Sequence, residues 1–134
     1  MSQNFTPPTV MRSRLGQARG LGSAKAGFHH WWAQKVTSFA LVPLTVWFVW
    51  SVVHLIGHSR AEVAQYIANP LVAALLMVTV ATTFYHLEIG LESVVLDYVR
   101  EEKRKIATLL VIKGGCIVLV LTTVVAILKL AIAG

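Results

Sequence analysis

Three long apolar runs constrain this chain more than any other feature of its sequence. They occupy residues 36–56, 70–96 and 106–132. Each run is long enough to cross a bilayer core, which is roughly 30 Å thick and takes about 20 helical residues. A soluble three-helix bundle is the alternative, but it needs a polar stripe at helical spacing, which the first and third runs lack. The sequence therefore predicts an all-α integral membrane protein with three transmembrane helices packed in a bundle.

The composition supports this class over soluble ones. Hydrophobic residues make up 56% of the chain and charged residues only 13%, whereas a soluble domain carries roughly a quarter charged residues. Cys116 is the single cysteine, which excludes a disulfide-stabilised scaffold. The high apolar content also excludes a disordered chain.

The basic residues are concentrated in two segments that flank the apolar runs. Five lie in the amino-terminal arm, residues 1–35, and four lie in the link at residues 97–105, whereas the link at residues 57–69 contains only Arg60. The positive-inside rule therefore predicts that the arm and the second link face the cytoplasm and that residues 57–69 form an outer loop. Most of the net charge of +6 is then an orientation signal, so a nucleic-acid partner is not expected.

One histidine is predicted to lie near the middle of the membrane. His86 is roughly ten residues, or about 15 Å, from the inner end of the second apolar run, and Gly90 lies one turn away on the same face. This spacing suits a flat macrocycle lying against the helix, with the imidazole as a ligand of haem iron. The alternative is a histidine that is hydrogen-bonded to a neighbouring helix. No other histidine is expected at this depth, so a second axial ligand would come from another chain.

Apart from His54 and Lys129, which lie near the ends of their runs, three further charged residues are predicted within the apolar runs. Glu88 and Glu92 are four residues apart on the second helix, and Lys113 on the third helix is expected at a depth similar to that of Glu88. Charged groups at membrane depth are compatible with proton handling, as in a small proton-coupled transport or channel subunit. The alternative is a structural ion pair.

Asp97 and Tyr98 are predicted where the second helix meets the inner surface. A phenol at this depth can donate a hydrogen bond to a carbonyl oxygen, and a neighbouring carboxylate can hold the phenol or pass protons. The alternative is an interfacial tyrosine beside an ordinary charged residue.

The segment that contains these residues resembles a known family. Residues 86–99, HLEIGLESVVLDYV, match the H-x-x-x-G-(x)6-D-Y-V pattern of the small hydrophobic membrane anchor of succinate dehydrogenase, a cytochrome b-containing subunit. Residues 19–25, RGLGSAK, followed by HHWW at residues 29–32, resemble the bacterial members before their first helix. The resemblance covers nearly the whole chain, and the pattern in the second helix is its specific part.

The resemblance implies a role for individual residues. His86 matches the axial histidine of haem b, whose other axial histidine belongs to the companion anchor subunit, and Gly90 would let the macrocycle pack closely. Tyr98 matches the tyrosine that hydrogen-bonds ubiquinone, and Asp97 is its neighbour in that site. Lys35 stands where relatives have an arginine, near the haem propionates or the quinone entrance. Lysine keeps the charge of that arginine and loses its bidentate fork.

The resemblance also implies partners and a location. The chain would be a subunit of a succinate:quinone oxidoreductase in the inner membrane of a bacterium, with its amino terminus inside. Its partners would be the companion cytochrome b anchor subunit, the iron–sulfur subunit, the flavoprotein subunit and membrane lipid. The chain has no dinucleotide fingerprint and no cysteine cluster, so it is not expected to hold a flavin or an iron–sulfur cluster by itself. A purely structural anchor remains a further alternative.

Overall fold

The structure is a computed structural model that describes residues 23–133 of the chain. Within this part the secondary structure is helical, and four helices follow one another. They are α1 (Ser23–His54), α2 (Arg60–Ala68), α3 (Pro70–Tyr98) and α4 (Glu102–Ala133). The three longer helices are long and apolar enough to cross a membrane, so the all-helical, multi-pass fold class is confirmed.

Local sequence signals explain where α3 begins. The Asn69 side chain accepts a hydrogen bond from the Leu71 backbone N–H at 2.9 Å, and this pairs a donor that has no partner within the helix. Pro70 occupies the first helical position, where its missing N–H costs nothing. The turn after α1 contains Gly57 at a φ of 84°, a left-handed conformation that favours glycine.

Helix α3 is the central helix. It packs against α1 on one side and α4 on the other, and in residues 23–133 those two outer helices make no contact with each other. The residues that α3 buries are small or β-branched, Ala73, Thr79, Ile89 and Val95. By contrast, large apolar side chains of the outer helices, such as Phe39 and Val111, are exposed. Because α3 contacts both neighbours, polar side chains on it can be positioned from two sides.

Helix α2 lies at one end of this arrangement. It contacts α3 and α4, and the Tyr66 hydroxyl lies 3.0 Å from the Ser51 hydroxyl at the end of α1. We call the opposite end, formed by the first turns of α1 and by the α3–α4 turn, the basic end. The long helices alternate in direction between the two ends, since early residues of α1 and of α4 both meet residues in the second half of α3.

The helix bounds differ from the sequence prediction at several places. Both ends of the predicted link at residues 97–105 are helical, because α3 continues to Tyr98 and α4 begins at Glu102. Larger differences occur in the amino-terminal arm and in the predicted outer loop. Helix α1 begins at Ser23 rather than at residue 36, so residues 23–35 of the amino-terminal arm are helical. The rest of the arm lies outside the described residues. The predicted outer loop, residues 57–69, contains α2. Its half-buried residues Val63, Tyr66 and Ile67 recur at spacings of three and four, a short amphipathic pattern within a polar segment.

A capping box stabilises the first turn of α2, and this stabilisation depends on pH. The Ser59 backbone N–H donates to Glu62 Oε2 at 2.7 Å, and the Glu62 N–H donates to Ser59 Oγ at 3.4 Å. The hydrogen bond from the Ser59 backbone lowers the pKa of Glu62 below its ordinary value of 4.5. The stabilisation of α2 by Glu62 is therefore fully present above pH 4.5 and is lost as the pH falls through the lowered pKa of Glu62.

We expect hydrogen-exchange protection of the α2 amides in the full chain, corrected for intrinsic exchange, to fall when the pH drops below 4.5. Glu62→Gln keeps the shape of the side chain without its charge, so it should remove that pH dependence. Glu102→Gln, an exposed acid at the start of α4, is the matched control and should retain it. An unchanged pH profile in Glu62→Gln would contradict the capping role.

Candidate functional site

His86 is held by a contact between α1 and α3. Its Nδ1 lies 2.8 Å from the Thr37 hydroxyl of α1. The same hydroxyl donates to the Ala33 carbonyl at 2.8 Å and lies 3.1 Å from the Gln34 carbonyl. Both His86 and Thr37 are half-buried. The imidazole is therefore oriented through Nδ1, and Nε2 is the nitrogen that remains for another ligand.

Gly90 lies one turn from His86 toward the basic end. A Cβ atom built on Gly90 would have no atom of the chain within 4 Å outside its own helix backbone and chain neighbours. The helix surface beside His86 is consequently open, so a flat group can approach the backbone there. The pair of residues thus fits a macrocycle whose iron takes the free imidazole nitrogen.

Asp97 and Tyr98 lie at the basic end but line different clefts. Asp97 lines a cleft of about 540 Å³ between α1 and α3, together with His30, Gln34 and Glu92. The Tyr98 side chain is 81% exposed and lines a cleft of about 480 Å³ at the α3–α4 turn. Successive helical residues point about 100° apart, so the structure places the two side chains near each other without bringing them into one pocket of this chain.

Lys35 lies on the exposed side of α1, away from the other candidate residues. Its Nζ lies 5.9 Å from the centre of the Trp31 ring, a cation–π contact one turn along the helix. Trp31 in turn lines the cleft that contains Asp97. Lys35 does not itself line that cleft and is connected to it only through the Trp31 ring.

Two acidic residues of α3, Glu88 and Glu92, face basic partners, one on each neighbouring helix. Glu88 Oε1 lies 3.6 Å from Lys113 Nζ of α4, which is the pair that the sequence predicts. Glu92 Oε2 lies 3.5 Å from His30 Nε2 of α1, a buried nitrogen without a hydrogen bond. The Glu88 side chain is 20% exposed and the Lys113 side chain is 66% exposed. The lysine is therefore the exposed member of this pair, and the glutamate is the half-buried one.

Sequence reasoning missed two residues that the structure brings to this region, Thr37 and His30. Each meets a residue of α3 that lies far away in the sequence. Thr37 belongs to no pattern that would single it out, and the HHWW segment that contains His30 does not indicate a partner for it. Among the described residues no three histidine, cysteine, aspartate or glutamate side chains form a cluster that could hold a metal ion. A haem would need only one ligand from this chain, since its ring supplies four.

Fold and site together define a class: a small, helical, multi-pass membrane protein whose central helix carries ionisable groups within a candidate membrane span. The family model described as succinate dehydrogenase/fumarate reductase transmembrane subunit matches residues 9–130. The chain belongs to this family.

Curated relatives agree with this assignment. The succinate dehydrogenase hydrophobic membrane anchor subunit of Rickettsia conorii is 27% identical over 117 residues, 87% of this chain and 93% of that protein. The protein of the same name from Paracoccus denitrificans is 34% identical over 90 residues, 67% of this chain and 70% of its own length. The succinate dehydrogenase membrane anchor subunit of Reclinomonas americana is 25% identical over 92 residues, 66% of this chain and 77% of its own length. No solved structure matches the chain.

Proposed function

We propose that the chain is a membrane anchor subunit of succinate dehydrogenase that supplies His86 as one axial ligand of haem b and contributes Tyr98 and Asp97 to a ubiquinone-reduction site. The observation that carries the haem assignment is the 2.8 Å contact between His86 Nδ1 and the Thr37 hydroxyl, with open space beside Gly90. A metal-bound histidine commonly has its second nitrogen hydrogen-bonded in this way.

The haem would be shared between two chains. Haem b with two axial histidines needs a second imidazole. His86 is near the middle of α3, His54 and His58 lie near the α2 end, and His29 and His30 lie in the first turns of α1 near the basic end. The second ligand therefore comes from the companion cytochrome b anchor subunit. When bound, the haem supplies one-electron redox chemistry. The protein contributes the ligand, its orientation and the apolar surroundings that control the redox potential.

Tyr98 would bind the quinone from an incomplete pocket. Its phenol is exposed in this chain, and an O–H group can donate a hydrogen bond to a quinone carbonyl. In the Tyr98 cleft, Arg104 is paired with Glu101 at 2.7 Å. Neighbouring subunits would close the remaining sides of this cleft and thereby exclude water from the quinone head group. Asp97 would line the approach from the α1–α3 cleft, and Lys35 would lie outside that cleft against Trp31.

The basic end and the exposed apolar helix faces are compatible with a multi-subunit complex in the inner membrane of a bacterium. The basic end would face the cytoplasm and meet the iron–sulfur and flavoprotein subunits, while the exposed apolar faces of α1 and α4 would contact the companion subunit and lipid. Nine of the twelve basic residues lie in the arm and the second link, which supports this orientation. Glu88 and Glu92 each face a basic side chain, and this pairing supports a structural role over proton transport.

Purification of the tagged chain from native membranes in mild detergent tests the proposal. We expect the flavoprotein, the iron–sulfur subunit and a second small anchor subunit to co-purify, and the reduced-minus-oxidised spectrum to show a b-type haem. The three partners without haem would favour a purely structural anchor. A chain that purifies without them and conducts protons in vesicles would support the transport alternative instead.

A further inference from the structure

The Thr37 hydroxyl carries one hydrogen but lies within hydrogen-bonding distance of three polar atoms. His86 Nδ1 and the carbonyl oxygen of Ala33 both lie 2.8 Å from Thr37 Oγ1, and the carbonyl oxygen of Gln34 lies 3.1 Å away. A hydroxyl group carries one hydrogen, and a carbonyl oxygen can only accept a hydrogen bond. These constraints determine which atom donates at each contact.

Only one arrangement satisfies these contacts. If Thr37 donated its hydrogen to His86 Nδ1, the hydroxyl oxygen would face two carbonyl oxygens at close range with no hydrogen between them. If Thr37 donates to the carbonyls of its own helix, its oxygen can accept a hydrogen bond from Nδ1–H of His86. The neutral imidazole then carries its proton on Nδ1, and the lone pair is on Nε2.

We propose that Thr37 is the positioning residue of the haem site: it fixes the Nδ1–H tautomer and the ring orientation of His86, so that Nε2 is ready to bind iron. This inference rests on the proposed haem role of His86. Thr37 is itself restrained, because its back-bond to α1 selects the side-chain rotamer. The contact thus couples the packing of α1 against α3 to the direction of the imidazole.

The hydrogen bond should also affect the ligand electronically. Donation from Nδ1–H makes the imidazole a stronger electron donor, and a stronger donor stabilises ferric more than ferrous iron. Loss of the Thr37 hydroxyl is therefore expected to raise the midpoint potential of the haem and to weaken its retention. Outer-shell partners of metal-bound histidines typically contribute about tenfold to a hundredfold in affinity.

The test compares Thr37→Val, which has nearly the same shape without the hydroxyl, with Thr37→Ser, which keeps the hydroxyl, in the purified complex. Ser38→Ala is the matched control, because the Ser38 hydroxyl also donates to the Gln34 carbonyl, at 2.8 Å, and stands next to Thr37 in the sequence. Haem per complex, resistance of the haem to extraction and the midpoint potential are measured in each variant, together with haem content in His86→Ala.

In Thr37→Val we expect haem retention to fall about tenfold or more and the midpoint potential to rise. If ferric haem loses about ten times more affinity than ferrous haem, the rise is about 59 mV for one electron. Thr37→Ser and Ser38→Ala should resemble the unmodified complex. An altered potential that serine restores is not expected from a residue that only fills space.

The other outcomes are equally decisive. If Thr37→Val keeps the haem and its potential while His86→Ala loses the haem, the haem role stands and the proposal for Thr37 is overturned. If His86→Ala keeps a normal haem, both proposals fail. If Thr37→Val does not assemble, Thr37→Ala provides the comparison. Loss of the whole complex in both variants would make Thr37 a packing residue and also overturn the proposal.

Discussion

Replacement of His86 by alanine is expected to abolish the b-type haem signal of the purified complex. Alanine has no metal ligand, and the Thr37 hydroxyl that faces Nδ1 in the unmodified chain would lose its partner on α3. A bis-histidine haem that loses one axial ligand also loses its six-coordinate, low-spin state, so any haem retained should have a changed spectrum. The measurement is the reduced-minus-oxidised spectrum, normalised to the amount of complex.

His58→Ala is the matched control for this experiment. His58 is exposed in the turn between α1 and α2, at the end opposite the basic end, so its loss should leave the haem signal intact. Externally added imidazole, which can occupy the space left by the side chain, should partly restore the spectrum of His86→Ala. A His86→Ala complex with a normal spectrum and normal haem content would show that the ligand lies elsewhere.

Replacement of Tyr98 by phenylalanine is expected to slow quinone reduction about tenfold to a hundredfold, which corresponds to the loss of a hydrogen bond to a buried carbonyl. The phenylalanine ring keeps the shape and removes only the donor. Succinate oxidation with an artificial acceptor should be unchanged, because that assay bypasses the quinone pocket. The ratio of the two rates is therefore the quantity to measure.

Tyr85→Phe controls for the general effect of removing a hydroxyl from α3. Tyr85 is also exposed, but it lines the cleft between α3 and α4 at membrane depth rather than the cleft at the basic end. Its replacement should leave both rates unchanged. Equal quinone rates in Tyr98→Phe and the unmodified complex would remove Tyr98 from the quinone site.

The sequence alone predicted those features of the fold that depend only on residues close together in the sequence. The number and approximate position of the three long helices follow from the length of the apolar runs and the thickness of a bilayer. The alignment of His86 with Gly90 follows from 3.6 residues per turn. Helix α2 was missed because Val63, Tyr66 and Ile67 form too short a pattern within a polar segment to distinguish it from a loop.

The tertiary structure decided what each side chain meets. Bilayer thickness sets the depth of a residue, but the rotation of each helix about its axis depends on packing against its neighbours. The contacts of His86 with Thr37 and of His30 with Glu92 are therefore not encoded in any local spacing. The 100° step between successive helical residues separates the Asp97 and Tyr98 side chains in any case, and packing decides which cleft each of them lines. Sequence thus determined which residues lie at which depth, and packing determined which of them touch, because depth is a property of one helix and contact is a property of two.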